Sequence, residues 1–125
     1  MQVAGRRVLV VEYEYLAALT TVHCLDSIGC QIVGPAARLP AALQLARTEA
    51  LDAAVLDINI AGTMIWPVAE ELLRRGVPTL FLSAYSEQNM IPARFASAPC
   101  LAKPLEQGRL AHQLDAMWAG STNCD

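Results

Sequence analysis

Four short apolar runs punctuate the chain, and each one ends on a polar residue. Val8-Leu9-Val10-Val11 leads into Glu12, Ala53-Ala54-Val55-Leu56 into Asp57, Thr79-Leu80-Phe81-Leu82 into Ser83, and Pro99-Cys100-Leu101-Ala102 into Lys103. None alternates apolar with polar, and each is too short for a buried helix. They therefore read as strands covered on both faces of a parallel sheet. A fifth, weaker run, Cys30-Gln31-Ile32-Val33, stops at Gly34-Pro35.

Helical spacing fills the intervals. Tyr15, Ala18, Val22 and Leu25 form one stripe, closed by Gly29, and Leu39, Leu43, Ala46 and Ala50 form a second. Pro67 opens a third, carrying Val68 and Leu72, and Gly76 stops it. Leu110, Leu114 and Met117 mark the last. The interval 84–98 should hold a further helix, but Pro92 lies inside it, where it removes a hydrogen bond and crowds the preceding turn. A short or distorted helix is expected there. The alternation predicts a doubly wound α/β fold in a single domain, 1–125, with its core at about 6–118 and a tail from Ala119 to Asp125.

Composition changes this picture little. Of 125 residues 54% are apolar and 17% charged, yet no uncharged run approaches the ~20 residues of a membrane-spanning helix. Arg6-Arg7 precedes a strand rather than a signal-peptide core, so a cytoplasmic protein without a membrane partner is expected. A net charge of −3 and scattered arginines give no basic stripe and no reason to expect nucleic-acid binding. Cys24, Cys30, Cys100 and Cys124 have neither C-x-x-C nor zinc-ligand spacing. The first three read as buried reduced thiols and Cys124 as an exposed one in the tail.

The chemistry is concentrated at the strand ends. In open α/β sheets ligands bind outside the carboxyl ends of the strands, and that edge here carries Glu12, Asp57, Ser83 and Lys103. Singly, each has a plain reading as a turn cap or a solvated side chain. Together they make two acids, a hydroxyl and the only lysine of the chain at four different strand ends. Two carboxylates suit Mg²⁺, while a lysine and a hydroxyl suit phosphoryl oxygens. Asp57 would be the carboxylate nucleophile toward phosphorus. Trp66 reads equally as loop packing or a partner contact, and His23 and His112 as solvated groups.

These residues resemble the receiver domains of bacterial two-component response regulators. The resemblance rests on the acids after the first strand, "LDIN" at 56–59, Ser83-Ala84, and "LAKP" at 101–104. "WPVAEELLRRGVP", "FLSAY" and "PCLAKP" point to a subgroup with a Phe-Ala-Thr-Gly-Tyr-like motif at strand four, often consisting of the receiver alone. The resemblance implies a flavodoxin-like fold: five parallel strands in the order 2-1-3-4-5, with helices on both faces. It makes Asp57 the phosphoacceptor, with Ser83 and Lys103 as phosphoryl contacts. Mg²⁺ would be held by Glu12, Asp57 and the backbone carbonyl of Asn59. The phosphodonor would be a histidine kinase or phosphotransfer protein and the output an unidentified protein partner, with a homodimer compatible. Such a domain assists its own phosphorylation and dephosphorylation but has no diffusible substrate.

Two positions depart from the pattern. Tyr13 stands where an acid normally binds Mg²⁺, so weak metal binding is expected, with Glu14 as a further ligand or the phenol hydrogen-bonded to Asp57. Cys100 stands where many receivers carry an aromatic switch, a role Tyr85 would take over. A second reading is a pseudo-receiver, a binding module in which Tyr13 impairs Mg²⁺-dependent phosphorylation. A small aspartyl-phosphate phosphatase is disfavoured by Asn59, where that chemistry wants an acid.

Overall fold

A computed structural model describes residues 4–84, 89–103 and 105–122. The elements are β1 (Arg7–Val11), α1 (Tyr15–Ser27), β2 (Gln31–Ala36), α2 (Leu39–Thr48), β3 (Ala53–Asp57), β4 (Asn59–Ile60), β5 (Thr63–Met64), α3 (Trp66–Arg74), β6 (Thr79–Ser83), β7 (Cys100–Ala102) and α4 (Gln107–Thr122). Five strands form a parallel sheet in the order β2-β1-β3-β6-β7, and β4 and β5 make a separate antiparallel hairpin. Counting only the strands of the main sheet, this is the expected 2-1-3-4-5 order of the flavodoxin-like receiver fold.

The strands read as unbroken apolar runs because both of their faces are covered. Alternate residues feed two cores. Leu9, Val11, Ala54, Leu56 and Phe81 pack with α2 and α3, and Val8, Val10, Ala53, Val55, Leu80 and Leu82 pack with α1 and α4. No helix among the described residues is long and apolar enough to cross a membrane.

Several expectations shift in detail. β2 does not stop at Gly34-Pro35 but runs through it to Ala36, with an irregular register opposite Leu9 and Val11. Tyr15, expected in the core stripe of α1, is 76% exposed, and the buried members are Ala18, Thr21, Cys24 and Leu25. Between β6 and β7 the described residues hold a 3₁₀ turn, Ala93–Phe95, with Pro92 as its N-cap. Phe95 then plugs the core where a longer helix would have lain, stacked on Trp66 and edge-on to Phe81. Trp66 is therefore a packing residue. The last helix continues through Thr122, past the expected start of the tail at Ala119. Cys24 and Cys30 are buried free thiols whose pKa values burial pushes up, while Pro104 and Cys124 lie outside the described residues.

Gly34 allows β2 to stay against β1. Its φ is +98°, and an added Cβ would come within 2.9 Å of both Val10 O and Ala36 N. Backbone rather than a flexible side chain opposes it, so the clash cannot be relieved cheaply. Gly34→Ala is expected to destabilise the fold by at least ~2 kcal/mol in denaturant melts. A loss under ~0.5 kcal/mol would show that the strand gives way freely.

Candidate functional site

Register brings the strand ends together. Val11 pairs with Leu56, so Glu12 and Asp57 follow at the same level, and β6 ends at Ser83 opposite Ala102, one residue before Lys103. Glu12 and Asp57 keep only 2% and 4% of their surface exposed. Lys103 Nζ lies 3.0 Å from Asp57 Oδ2, 3.1 Å from Glu12 Oε1 and 3.3 Å from Glu12 Oε2. Three of the four strand-end groups thus form one ion cluster.

Burial sets the electrostatics. The Asp57 carboxyl is raised to about 6, first by burial and then by the neighbouring Glu12, with Lys103 opposing both. Burial pulls the Lys103 pKa down, but the two carboxylates outweigh it and the net direction is up, so the side chain stays an ammonium. Glu12 Oε1 is buried without a hydrogen bond, and its contact with Nζ is one of charge without donor alignment. Glu12 Oε2 accepts the Glu14 backbone N–H at 3.3 Å, which ties the start of α1 to the cluster.

A cleft of about 300 Å³ opens beside Asp57 and Lys103, walled by Tyr13, Glu14 and the β4–β5 hairpin. The hairpin turns through Ala61 and Gly62, both at positive φ (53° and 87°), a backbone twist that suits a two-residue hairpin loop. Asn59 Oδ1 accepts the Gly62 N–H at 2.8 Å, so the Asn59 side chain belongs to the turn. This wall was missed in the sequence. The Asn59-x-x-Gly62 spacing is the signal that points to it.

The remaining candidates are placed less directly. Ser83 is fully buried, and its hydroxyl lies 3.3 Å from Cys100 Sγ, away from the cleft wall. Tyr13 is 48% exposed and, among the described residues, makes no hydrogen bond to Asp57, whose Oδ2 is met by Lys103 instead. Glu14 is the N-cap residue of α1, its side chain exposed and making no capping hydrogen bond. No three His, Cys, Asp or Glu side chains converge among the described residues, so Glu14 does not join Glu12 and Asp57 in a three-acid site. Tyr85 lies outside the described residues, and His23 and His112 are exposed.

The cluster can do two things chemically. It offers a carboxylate with an adjacent ammonium in an open cleft, and it offers oxygen donors in excess of positive charge. The unbonded Glu12 Oε1 and a second carboxylate sharing one ammonium fit a hard cation such as Mg²⁺.

No family model and no curated protein matches the chain. Solved structures do. The solution structure of SdrG from Sphingomonas melonis Fr1 is 30% identical, covering 94% of this chain and 99% of that one with a TM-score of 0.80. The BeF3-activated conformation of SdrG from Pseudomonas melonis Fr1 is 32% identical, covering 90% and 96% with a TM-score of 0.74. The receiver domain of a sensor histidine kinase from Pseudomonas aeruginosa PAO1, with magnesium coordinated in its active-site cleft, is 23% identical. It covers 91% and 98% with a TM-score of 0.78, a likeness of fold.

The raised Asp57 pKa makes a stability test. Between about 4 and about 6 the native state binds the Asp57 proton more tightly than the unfolded chain, so stability falls as pH rises through that window. Asp57→Asn lacks this loss. In a chelator-containing buffer the variant should match wild type near pH 4 and exceed it at pH 7 by about 1 to 3 kcal/mol. A variant less stable at pH 7 would mean that ionised Asp57 gains more from Lys103 than it loses on burial.

Proposed function

The chain belongs to the receiver domains of response regulators, and on that basis we propose that Asp57 accepts a phosphoryl group from a protein carrying it on histidine. The observation that carries this reading is the Lys103 ammonium, 3.0 Å from Asp57 Oδ2 beside an open cleft. An Asp57 oxygen attacks phosphorus, the bond from phosphorus to the donor nitrogen breaks, and that nitrogen keeps the electron pair. The product is an acyl phosphate on Asp57. With a pKa of about 6, Asp57 is largely ionised at neutral pH, as a nucleophile must be.

Lys103 neutralises the entering phosphoryl oxygens. Ser83 adds its hydroxyl after a rotation about χ1 that releases Cys100 Sγ. The Ser83–Cys100 contact thereby couples the cleft to β7, in the place an aromatic switch would take, with Tyr85 as the neighbouring switch residue. Glu12, Asp57 and the Asn59 backbone carbonyl would hold Mg²⁺, with the exposed Glu14 in reserve. When bound, the ion supplies positive charge against the phosphoryl oxygens. Tyr13 leaves this set one carboxylate short.

On this reading the domain is part of a bacterial two-component pathway or phosphorelay, working in the cytoplasm, and does not act on a diffusible substrate. Its signal leaves by a change of protein partner through the segment 84–98, of which 85–88 lie outside the described residues, and the last helix.

Two measurements test the reading. Intact-mass spectrometry after incubation with acetyl phosphate and Mg²⁺ should show one hydroxylamine-sensitive phosphoryl adduct, absent from Asp57→Asn. An adduct that persists in that variant overturns the assignment. Calorimetric Mg²⁺ titration should show wild type binding about 5- to 150-fold more weakly than Tyr13→Asp, the equivalent of about 1 to 3 kcal/mol. Equal affinities would make Tyr13 neutral and return the metal site to ordinary strength.

A further inference from the structure

β7 pairs with β6 only from Phe81 onward, and Pro99 just before it has no N–H with which to extend the ladder. Thr79, at the start of β6, therefore pairs with Ala54 on one side and with no strand among the described residues on the other. A hollow of about 310 Å³ occupies this missing corner of the sheet. It lies at the opposite end of β6 from Ser83, roughly 13 Å along the strand from the Asp57 cluster. Leu73, Val77, Phe81, Phe95 and Met117 give it an apolar wall, drawn from α3, the sheet, the 3₁₀ turn and α4. Leu73 is 54% exposed, which puts the mouth at the surface beside the end of α3.

The polar lining indicates what fits. The Thr79 hydroxyl is already engaged, donating to Val77 O at 3.1 Å. Arg94 is the only charged side chain among the lining residues. Its Nε meets Glu70 Oε2 at 2.7 Å, and its guanidinium carbon lies 4.8 Å from the centre of the Phe95 ring. The fork is thus held from two sides, against one wall of the hollow. Its terminal nitrogens have no hydrogen-bond partner among the described residues. Two parallel N–H donors at the edge of an apolar hollow match a carboxylate whose remainder is hydrocarbon. A volume near the lower bound of ~300 Å³ for ligand sites admits a small molecule and no whole membrane lipid.

We propose that this hollow is a binding site for a small apolar monocarboxylate. The hydrocarbon part lies against Phe81, Phe95 and Met117, and the carboxylate lies on the terminal nitrogens of Arg94, with Glu70 keeping Nε. Phe95 also stacks on Trp66, so a ligand packed on its other side holds the turn 93–95 in place. That turn belongs to the segment that carries the proposed output, and the ligand thereby regulates partner exchange. This consequence rests on the proposed function, whereas the site itself does not.

Calorimetric titration with sodium decanoate, and with decanol as its uncharged twin, tests the site. Wild type should bind one decanoate per chain, saturably, and roughly tenfold or more tightly than decanol. Arg94→Gln, at an exposed position, should keep its melting temperature and lose the preference while still binding decanol. Ala98→Phe should fill the hollow and abolish binding of both; Leu73→Glu, at the exposed mouth, should repel decanoate and serves where Ala98→Phe fails to fold. Amide exchange at Ala96 and Ala98, whose N–H groups donate to Ala93 O and Phe95 O, should slow severalfold with decanoate bound. No saturation below ~1 mM overturns the proposal. So do equal affinities for decanoate and decanol, a preference that survives Arg94→Gln, and binding that survives a folded Ala98→Phe. Co-sedimentation with phosphatidylglycerol vesicles in the absence of decanoate binding assigns the face to a lipid surface and also overturns it. If Asp57 takes no label while decanoate binding meets these tests, the phosphoacceptor reading fails and the site stands.

Discussion

One ammonium between two buried carboxylates governs the carboxyl edge of the sheet. Lys103 is within 3.3 Å of Asp57 and of both Glu12 oxygens, while the acids are almost wholly removed from water. Burying charge costs free energy that a single ion pair returns only in good geometry. Here the return is incomplete, as the raised Asp57 pKa and the unbonded Glu12 Oε1 both register. The cluster is stable enough to hold its shape and poor enough in positive charge to attract more. An excess of negative charge of that kind suits a cation.

The sheet makes the imbalance affordable. β3 is buried along its whole length, and β1 and β6 are buried from their second residues onward, so the strands that deliver Glu12, Asp57 and Ser83 are fixed by packing from both sides. Registers that set Val11 beside Leu56 and Asp57 beside Leu82 bring Glu12 and Asp57 to one level and Ser83 one residue beyond it. The stability lost at the strand ends is offset in the two cores. The loops are left to differ, which is why Tyr13 can replace an acid without disturbing the frame.

How much of this was legible in the sequence follows from the same division. Continuous apolar runs ending on Glu12, Asp57, Ser83 and Lys103 announced parallel strands and their active edge, because two-sided burial leaves that mark in one dimension. Details set by a single contact left no such mark. That Ser83 turns to Cys100 depends on β6 and β7 being neighbours, and periodicity does not report side-chain rotation. The helical period placed Tyr15 in the core because it lies at the right interval from Ala18, but Tyr15 is exposed and the buried side of α1 begins at Ala18. The β4–β5 hairpin is two residues a side, too short for any alternation to appear. The phenol of Tyr13 was a sensible partner for Asp57 on sequence alone, yet the longer and charged Lys103 reaches that carboxylate from another strand end.

The acidic stretch after β1, a phenol between two carboxylates, is divided in space. Glu12 points inward and joins the ion cluster, Tyr13 sits half-exposed at the cleft wall, and Glu14 begins α1 at the surface. Three consecutive residues divide three tasks because the chain leaves the sheet there and turns into a helix. An acid at position 13 would have added negative charge to a cluster whose single ammonium already fails to balance two carboxylates. A half-exposed aromatic adds none, and it extends the apolar surface of Tyr15, Leu16 and Leu19 to the lip of the cleft. The same substitution thus removes charge from the site and joins the site to the surface beside it.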